Sequence, residues 1–180
     1  APVVQWTTVR TLMILAAKLN LVTAQADITA AFVHAPLGED EHIYVHQAPG
    51  FKRGGDYVYK LSRSVYGLRQ SPRNFFSYLS DRLEAQGLLP SHVDPCLFIG
   101  KTVIAVVYVD DVLFYAKTST AIEEVISGLK AAGVAIHKEG TAEGFLGVDI
   151  SREETASGLT ITLLQQGLTK RVIEALGLCS

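Results

Sequence analysis

The sequence predicts an α+β sandwich, and three observations carry that prediction. Strand-like and helix-like segments are mixed without the regular strand–helix alternation of a parallel sheet. Thr102 to Ala116 contains two apolar runs, rich in β-branched and aromatic residues, of strand length and character. Helical periodicity with clear start signals occurs on either side of that stretch, at Ser71-Pro72 and at Thr120 with Glu123. With 180 residues and 48% apolar content, one compact domain can bury roughly 70% of its unfolded surface.

The central stretch brackets two adjacent carboxylates, Asp110 and Asp111. Nothing there resembles the Asn-Gly or Gly-Gly pairs of an ordinary two-residue hairpin turn. Two acids at the tip of an apolar hairpin repel each other and are costly to desolvate unless a cation neutralises them. A hard divalent ion such as Mg²⁺, which prefers carboxylate oxygens, would do so. Asp is also common in turns, and an exposed pair needs no metal.

In chain order, Thr7 or Thr8 can cap a helix to about Leu19, with Val9, Leu12, Met13, Ala16, Ala17 and Leu19 at helical spacing. Leu21 to Asp27 alternates as a strand, with Val22, Ala24 and Ala26 on one face and Thr23, Gln25 and Asp27 on the other. A tight segment of small residues, Ile28 to Phe32, follows, and then an acidic loop, Gly38 to Glu41. Short strands near Ile43–His46 and Tyr57–Leu61 bracket a turn at Ala48-Pro49-Gly50-Phe51 and a tip at Gly54-Gly55. Ser71 as N-cap and Pro72 as first helical residue start a helix to Gln86, stopped by Gly87. Thr120 and Glu123 form a capping box for a helix to about Ala132. Phe145–Ser151 and Leu159–Leu164 pair through a turn at Ala156-Ser157-Gly158, and a last helix runs from Gln165 to Leu176.

Composition narrows the function classes. No run approaches the ~18 apolar residues of a membrane span, and the start has no signal-peptide pattern. Cys96 and Cys179 stand alone without metal-ligand spacing, which fits a reducing, intracellular setting, cytoplasm or nucleus, rather than secretion. The five histidines form no ligand spacing either. The net charge of −2 does not favour a nucleic-acid partner, and its distribution says more. Lys52, Arg53, Lys60, Arg63, Arg69, Arg73 and Arg82 face only Asp56 and Asp81 in the same block, interleaved with Tyr57, Tyr59, Tyr66, Phe75 and Phe76. Such a block can follow a phosphate backbone, or it can be a solvated basic face.

At this point a resemblance becomes specific. Asp27-Ile28-Thr29-Ala30-Ala31-Phe32, with Ile43-Tyr44-Val45 and Pro49-Gly50-Phe51 downstream, resembles the first catalytic motif of copia-type retrotransposon reverse transcriptases. Lys60 to Arg73 resembles that family's second motif almost residue for residue. Tyr108-Val109-Asp110-Asp111 matches the third, and Phe145-Leu146-Gly147 the strand that grips the primer. The resemblance spans essentially the whole chain, with its motifs in order.

The resemblance implies a reverse-transcriptase palm, an antiparallel sheet backed by helices, with partial fingers and the start of the thumb. It also implies that the basic N-terminal fingers segment lies upstream of residues 1–180, outside this catalytic domain. The implied reaction adds deoxynucleotides to a primer on an RNA or DNA template, from deoxynucleoside triphosphates, by a two-metal mechanism using Mg²⁺, with Mn²⁺ as a substitute. Asp27 and Asp110 would bridge both ions, and Asp111 would assist or simply add charge that draws them in. Phe32 resembles the aromatic gate beneath the sugar, and Tyr66 and Gly67 the residues that meet the nucleotide. Gly67 has a simpler reading as a turn glycine, and Phe32 as a core residue. Arg69 and Arg73 are candidate phosphate contacts, and Lys138 is a candidate general acid for the leaving pyrophosphate. The implied partners are template and primer, the upstream fingers and RNase H portions of a Pol polyprotein, and a retrotransposon particle, with no membrane. The rival reading is an inactive remnant that only binds nucleic acid. A different palm-type cyclase fits the carboxylates but not Tyr66 to Pro72.

Overall fold

Helix α1 (Trp6–Lys18) forms where the apolar periodicity places it and buries Val9, Leu12, Met13 and Ala16. Its start differs from expectation, because no threonine caps it and Gln5 occupies the N-cap without a side-chain bond. A distant carboxylate takes that role. Asp94, fully buried, accepts the Gln5 amide at 2.9 Å and the Thr8 hydroxyl at 2.6 Å through Oδ2. Its Oδ1 accepts the Cys96 amide at 3.0 Å. The computed structural model describes residues 1–140, 144–145, 147–156 and 158–178.

Strand β1 (Val22–Ile28) follows α1, and a single 3₁₀ turn covers Ala31–His34. Strands β2 (Tyr44–His46) and β3 (Val58–Lys60) pair as a separate two-stranded ribbon. Helix α2 spans Ser71–Ala85. Ser71 is its first residue rather than its cap, since the buried hydroxyl donates instead to the Val65 carbonyl at 2.6 Å. Strands β4 (Leu89–Pro90), β5 (Leu97–Ile99), β6 (Val103–Tyr108) and β7 (Asp111–Ala116) come next. Helix α3 (Ser119–Ala131) is capped by Thr118, whose Oγ1 accepts the Ala121 amide at 3.4 Å, and not by a Thr120–Glu123 box. Glu123 is instead drawn to Lys138 on β8 (Ile136–Gly140), at 3.0 Å. Strands β9 (Gly144–Phe145), β10 (Val148–Thr155) and β11 (Gly158–Leu164) form a three-stranded sheet, and α4 (Gln166–Ala175) follows. Ser157, in the expected turn, lies outside the described residues, as does Cys179.

Six strands make the main sheet in the order β4-β5-β6-β7-β1-β8, with every neighbouring pair antiparallel. The strict alternation of β1 and β7 divides the core in two. Ala24, Ala26, Ile28, Val112 and Phe114 pack against Phe75, Leu79 and Leu83 of α2 and Ile122, Ile126 and Leu129 of α3. On the other face Val106, Leu113 and Tyr115 meet Val9, Leu12 and Met13 of α1, together with Phe145 and Ile150. Arg152 ties the second sheet to the first, donating to Thr23 Oγ1 at 2.9 Å and the Leu21 carbonyl at 3.0 Å. The described elements are thus an antiparallel sheet between helices on one side and a mixed helix–sheet layer on the other.

Candidate active site

Three chain segments meet at one end of the sheet. Asp27, next to the last residue of β1, stands in direct register with Asp111, the first residue of β7. Directly opposed residues of an antiparallel pair project from the same face. The Ile28 amide donates to the Asp110 carbonyl at 2.9 Å, so the hairpin tip is fastened to the end of β1. The tip is tight, with Tyr108 and Asp111 in register across Val109 and Asp110 alone. A two-residue connection therefore exists despite unfavourable turn chemistry. It is reached by forcing Val109 to φ 54°, a left-handed conformation that β-branched residues avoid and that stores strain of order 1–3 kcal/mol.

Asp111 reports the crowding. Its carboxyl is pushed above the usual carboxylate range, first by burial, then by the negative charges of Asp110, Glu139 and Asp27. Gln25, on the same face, opposes this with a long side-chain hydrogen bond of 3.5 Å. Glu139 and Gln25 belong to the site and were not expected from sequence. Glu139 reaches it because β8 pairs with β1 across an irregularity between Gln25 and Ala26, and its polar sequence lacks the alternation that marks a strand.

All three expected ligands lie together, and hard, mutually repelling oxygen donors suit a divalent cation. Among the described residues, however, no three acids, histidines or cysteines are clustered closely enough to enclose an ion. The donor set fits a divalent ion in chemistry, whereas the described side chains are not gathered closely enough to enclose one.

Phe32 sits in the 3₁₀ turn immediately after Ala30, whose φ of 52° turns the chain sharply past Asp27. His34 Nε2 lies 3.0 Å from the Thr29 carbonyl and closes the same turn. The Phe32 ring meets Tyr66 at a centroid distance of 4.6 Å and Phe75 at 6.1 Å. Gly67, beside Tyr66, has φ 95°, which a side chain would resist, and open space where a Cβ would stand. A small cavity lined by Ala1, Pro2, Pro72, Phe75, Phe76, Val107 and Val109 runs from Phe75 to the strained tip. Phe32, Tyr66 and Gly67 are thus brought together.

Other expected residues go elsewhere. Lys138 stands opposite Ala26, on the helix side of the sheet, paired with Glu123 at 3.0 Å. His137, in register with Asp27, shares the carboxylate face with Glu139. Arg69 and Arg73 are exposed at the start of α2. Arg82, counted in the basic block, stacks over Tyr78 at 3.4 Å, and Arg63 donates to the Val33 and His34 carbonyls. Phe145 is buried and meets Tyr108 edge-on at 6.4 Å, while its neighbour Leu146 lies outside the described residues. A cleft of about 660 Å³ between α1 and β11 has no carboxylate in its walls, so its size does not make it the site of this chemistry.

The sequence matches, over residues 1–180, the family model described as Reverse transcriptase (RNA-dependent DNA polymerase). It is 34% identical, over 97% of its length, to the Retrovirus-related Pol polyprotein from transposon TNT 1-94 of Nicotiana tabacum. It is 32% identical, over 89%, to that from transposon RE1 of Arabidopsis thaliana. It is 29% identical, over 62%, to the truncated transposon Ty1-A Gag-Pol polyprotein of Saccharomyces cerevisiae. The chain spans 13%, 11% and 9% of those three relatives. A family match over the full chain and the run of Pol polyprotein relatives agree with the carboxylate-tipped sheet, and the chain belongs to the copia-type reverse transcriptase (RNA-dependent DNA polymerase) family.

Proposed function

We propose that this domain adds deoxynucleotides to a primer end, copying RNA or DNA, with pyrophosphate as the leaving group, as part of a retrotransposon Pol polyprotein. The observation that carries the reading is the Asp27–Asp111 register with Asp110 fastened beside it. Asp27, Asp110 and Asp111 would hold divalent ions, Mg²⁺ or Mn²⁺, and reverse transcriptases in general use such ions. Bound there, the ions would stabilise negative charge on the attacking and leaving oxygens. The chain's own part is positional. Asp27 and Asp111 are set by strand register, and Asp110 by a strained tip whose free-energy cost the surrounding fold bears.

The main sheet with α2 and α3 serves as the palm, the β2–β3 ribbon as partial fingers, and β10, β11 and α4 as the start of the thumb. Phe32, Tyr66 and Gly67 form the sugar and base side of the nucleotide pocket, and the exposed Arg69 and Arg73 meet phosphate. Lys138, occupied by Glu123 on the far face, supports a structural role for itself rather than proton transfer. The setting is an intracellular retrotransposon particle, and no described helix is long and apolar enough to cross a membrane.

Primer extension with Mg²⁺ or Mn²⁺ is the test. Asp110→Asn should lower extension by at least ~10³-fold, as expected when a group that stabilises developing charge is lost, with the folded structure retained by circular dichroism. Retained extension in Asp110→Asn would overturn the site. Nucleic-acid binding with no extension in the parent polyprotein would instead favour an inactive remnant.

A further inference from the structure

Tyr66 is a large aromatic side chain left 60% exposed, yet its ring is packed against another. Its centroid lies 4.6 Å from that of Phe32, at an interplanar angle of 49°. Phe75, 1% exposed on α2, meets Phe32 edge-on from another direction at 6.1 Å. Phe32 therefore contacts both a ring fixed in the core and a ring at the surface. Separations of this kind lie in the favourable range for aromatic pairs.

The loop carrying Tyr66 is pinned on both sides. The Ser64 amide donates to the carbonyl of Ala35, at the end of the 3₁₀ turn that holds Phe32, at 2.9 Å. The Ser71 hydroxyl donates to the Val65 carbonyl at 2.6 Å. The first bond ties the two loops to each other, and the second ties Tyr66's loop to α2. Among the described residues the Tyr66 hydroxyl has no hydrogen-bond partner, so its packing rests on the ring.

We infer that Tyr66 is a positioning residue for sugar discrimination, whose ring clamps Phe32 against Phe75 and makes the wall under the sugar rigid. The inference rests on the reading of Phe32 as that wall. A steric wall rejects a 2′-hydroxyl only as far as it cannot yield, and an aromatic ring with one free face can tilt away. Phe75 supports one edge of Phe32, and Tyr66 supplies the missing restraint. The ring, and not the phenolic oxygen, is the acting group.

The test is single-nucleotide insertion by the polyprotein that carries this domain, read as the ratio of kcat/KM for a ribonucleotide to that for the matching deoxynucleotide. Tyr66→Ala should raise that ratio by about three- to tenfold, the scale of one lost aromatic pair. Tyr66→Phe should keep the parental ratio. Phe32→Val should raise it by about ten- to a hundredfold, and adding Tyr66→Ala to Phe32→Val should change nothing further. If Phe32→Val loosens discrimination but Tyr66→Ala only raises KM for both sugars, Tyr66 is a plain nucleotide contact and the clamp is wrong. Equal loosening by Tyr66→Phe and Tyr66→Ala would also overturn it, by assigning the effect to the hydroxyl. An unmoved ratio in Phe32→Val removes the wall itself and this inference with it. Where insertion is too slow to measure, a double-mutant cycle on unfolding stability decides between coupled rings and additive effects, and additivity overturns the clamp.

Discussion

At Asp111 a half-buried carboxylate faces three other acids, and its upward-displaced titration expresses that crowding as a stability cost. A carboxyl whose folded pKa is raised above its unfolded value of 3.8 destabilises the fold where it is charged, at neutral pH. Acidification through the folded pKa relieves the cost, which is gone below the unfolded value. Asp111→Asn should therefore raise the melting temperature of the ion-free protein near pH 7, and the gain should shrink steadily toward pH 4. The partial exposure of the group keeps the gain modest. Melting curves across that range check it, and a gain independent of pH would assign the effect to packing instead. The same crowding would favour divalent cations, since bound positive charge turns the repulsion into attraction.

Among the elements, α1 shows how a helix start can be built from elsewhere in the chain. Thr7 and Thr8 looked like local caps, but Thr8 gives its hydroxyl to Asp94, which also holds the Gln5 and Cys96 amides in a buried site. A sequence window around the helix contains no sign of a partner 86 positions away. Asp94→Ala would leave three donors without an acceptor, each costing about 1–3 kcal/mol when buried. We expect a loss of roughly 3 kcal/mol by urea unfolding, against about 1 kcal/mol for Thr8→Ala. A smaller loss in Asp94→Ala than in Thr8→Ala would show that Asp94 is not the anchor. Strand β8 makes the complementary point. Ile136 to Gly140 carries mostly polar residues, with His137, Lys138 and Glu139 exposed, and pairs with β1 at the open edge of the sheet.

For the whole molecule, the chain spans only 13% of its tobacco relative, so the functional unit is proposed to be larger than this domain. Neutralising a triphosphate takes more positive charge than the exposed Arg69 and Arg73 supply beside four acids. A longer polyprotein segment that adds upstream sequence should therefore extend primers at least ~10-fold faster at limiting nucleotide than residues 1–180, mainly through KM. Equal efficiency would show that residues 1–180 already hold the triphosphate. Much of the outcome is written in the sequence. Local periodicity determined the four helices, and alternation determined the faces of β1, because both depend on neighbours three or four and two positions apart. The ordered motifs at Asp27, Lys60–Arg73 and Asp110-Asp111 determined the family. Tertiary structure decided what depends on distant pairing: the register that sets Asp27 beside Asp111, the irregularity that brings Glu139 to them and turns Lys138 toward Glu123, and the ring contact between Phe32 and Tyr66. Such choices are made by strand register and core packing, whose free energies compare segments a hundred residues apart and so leave no trace in a local window.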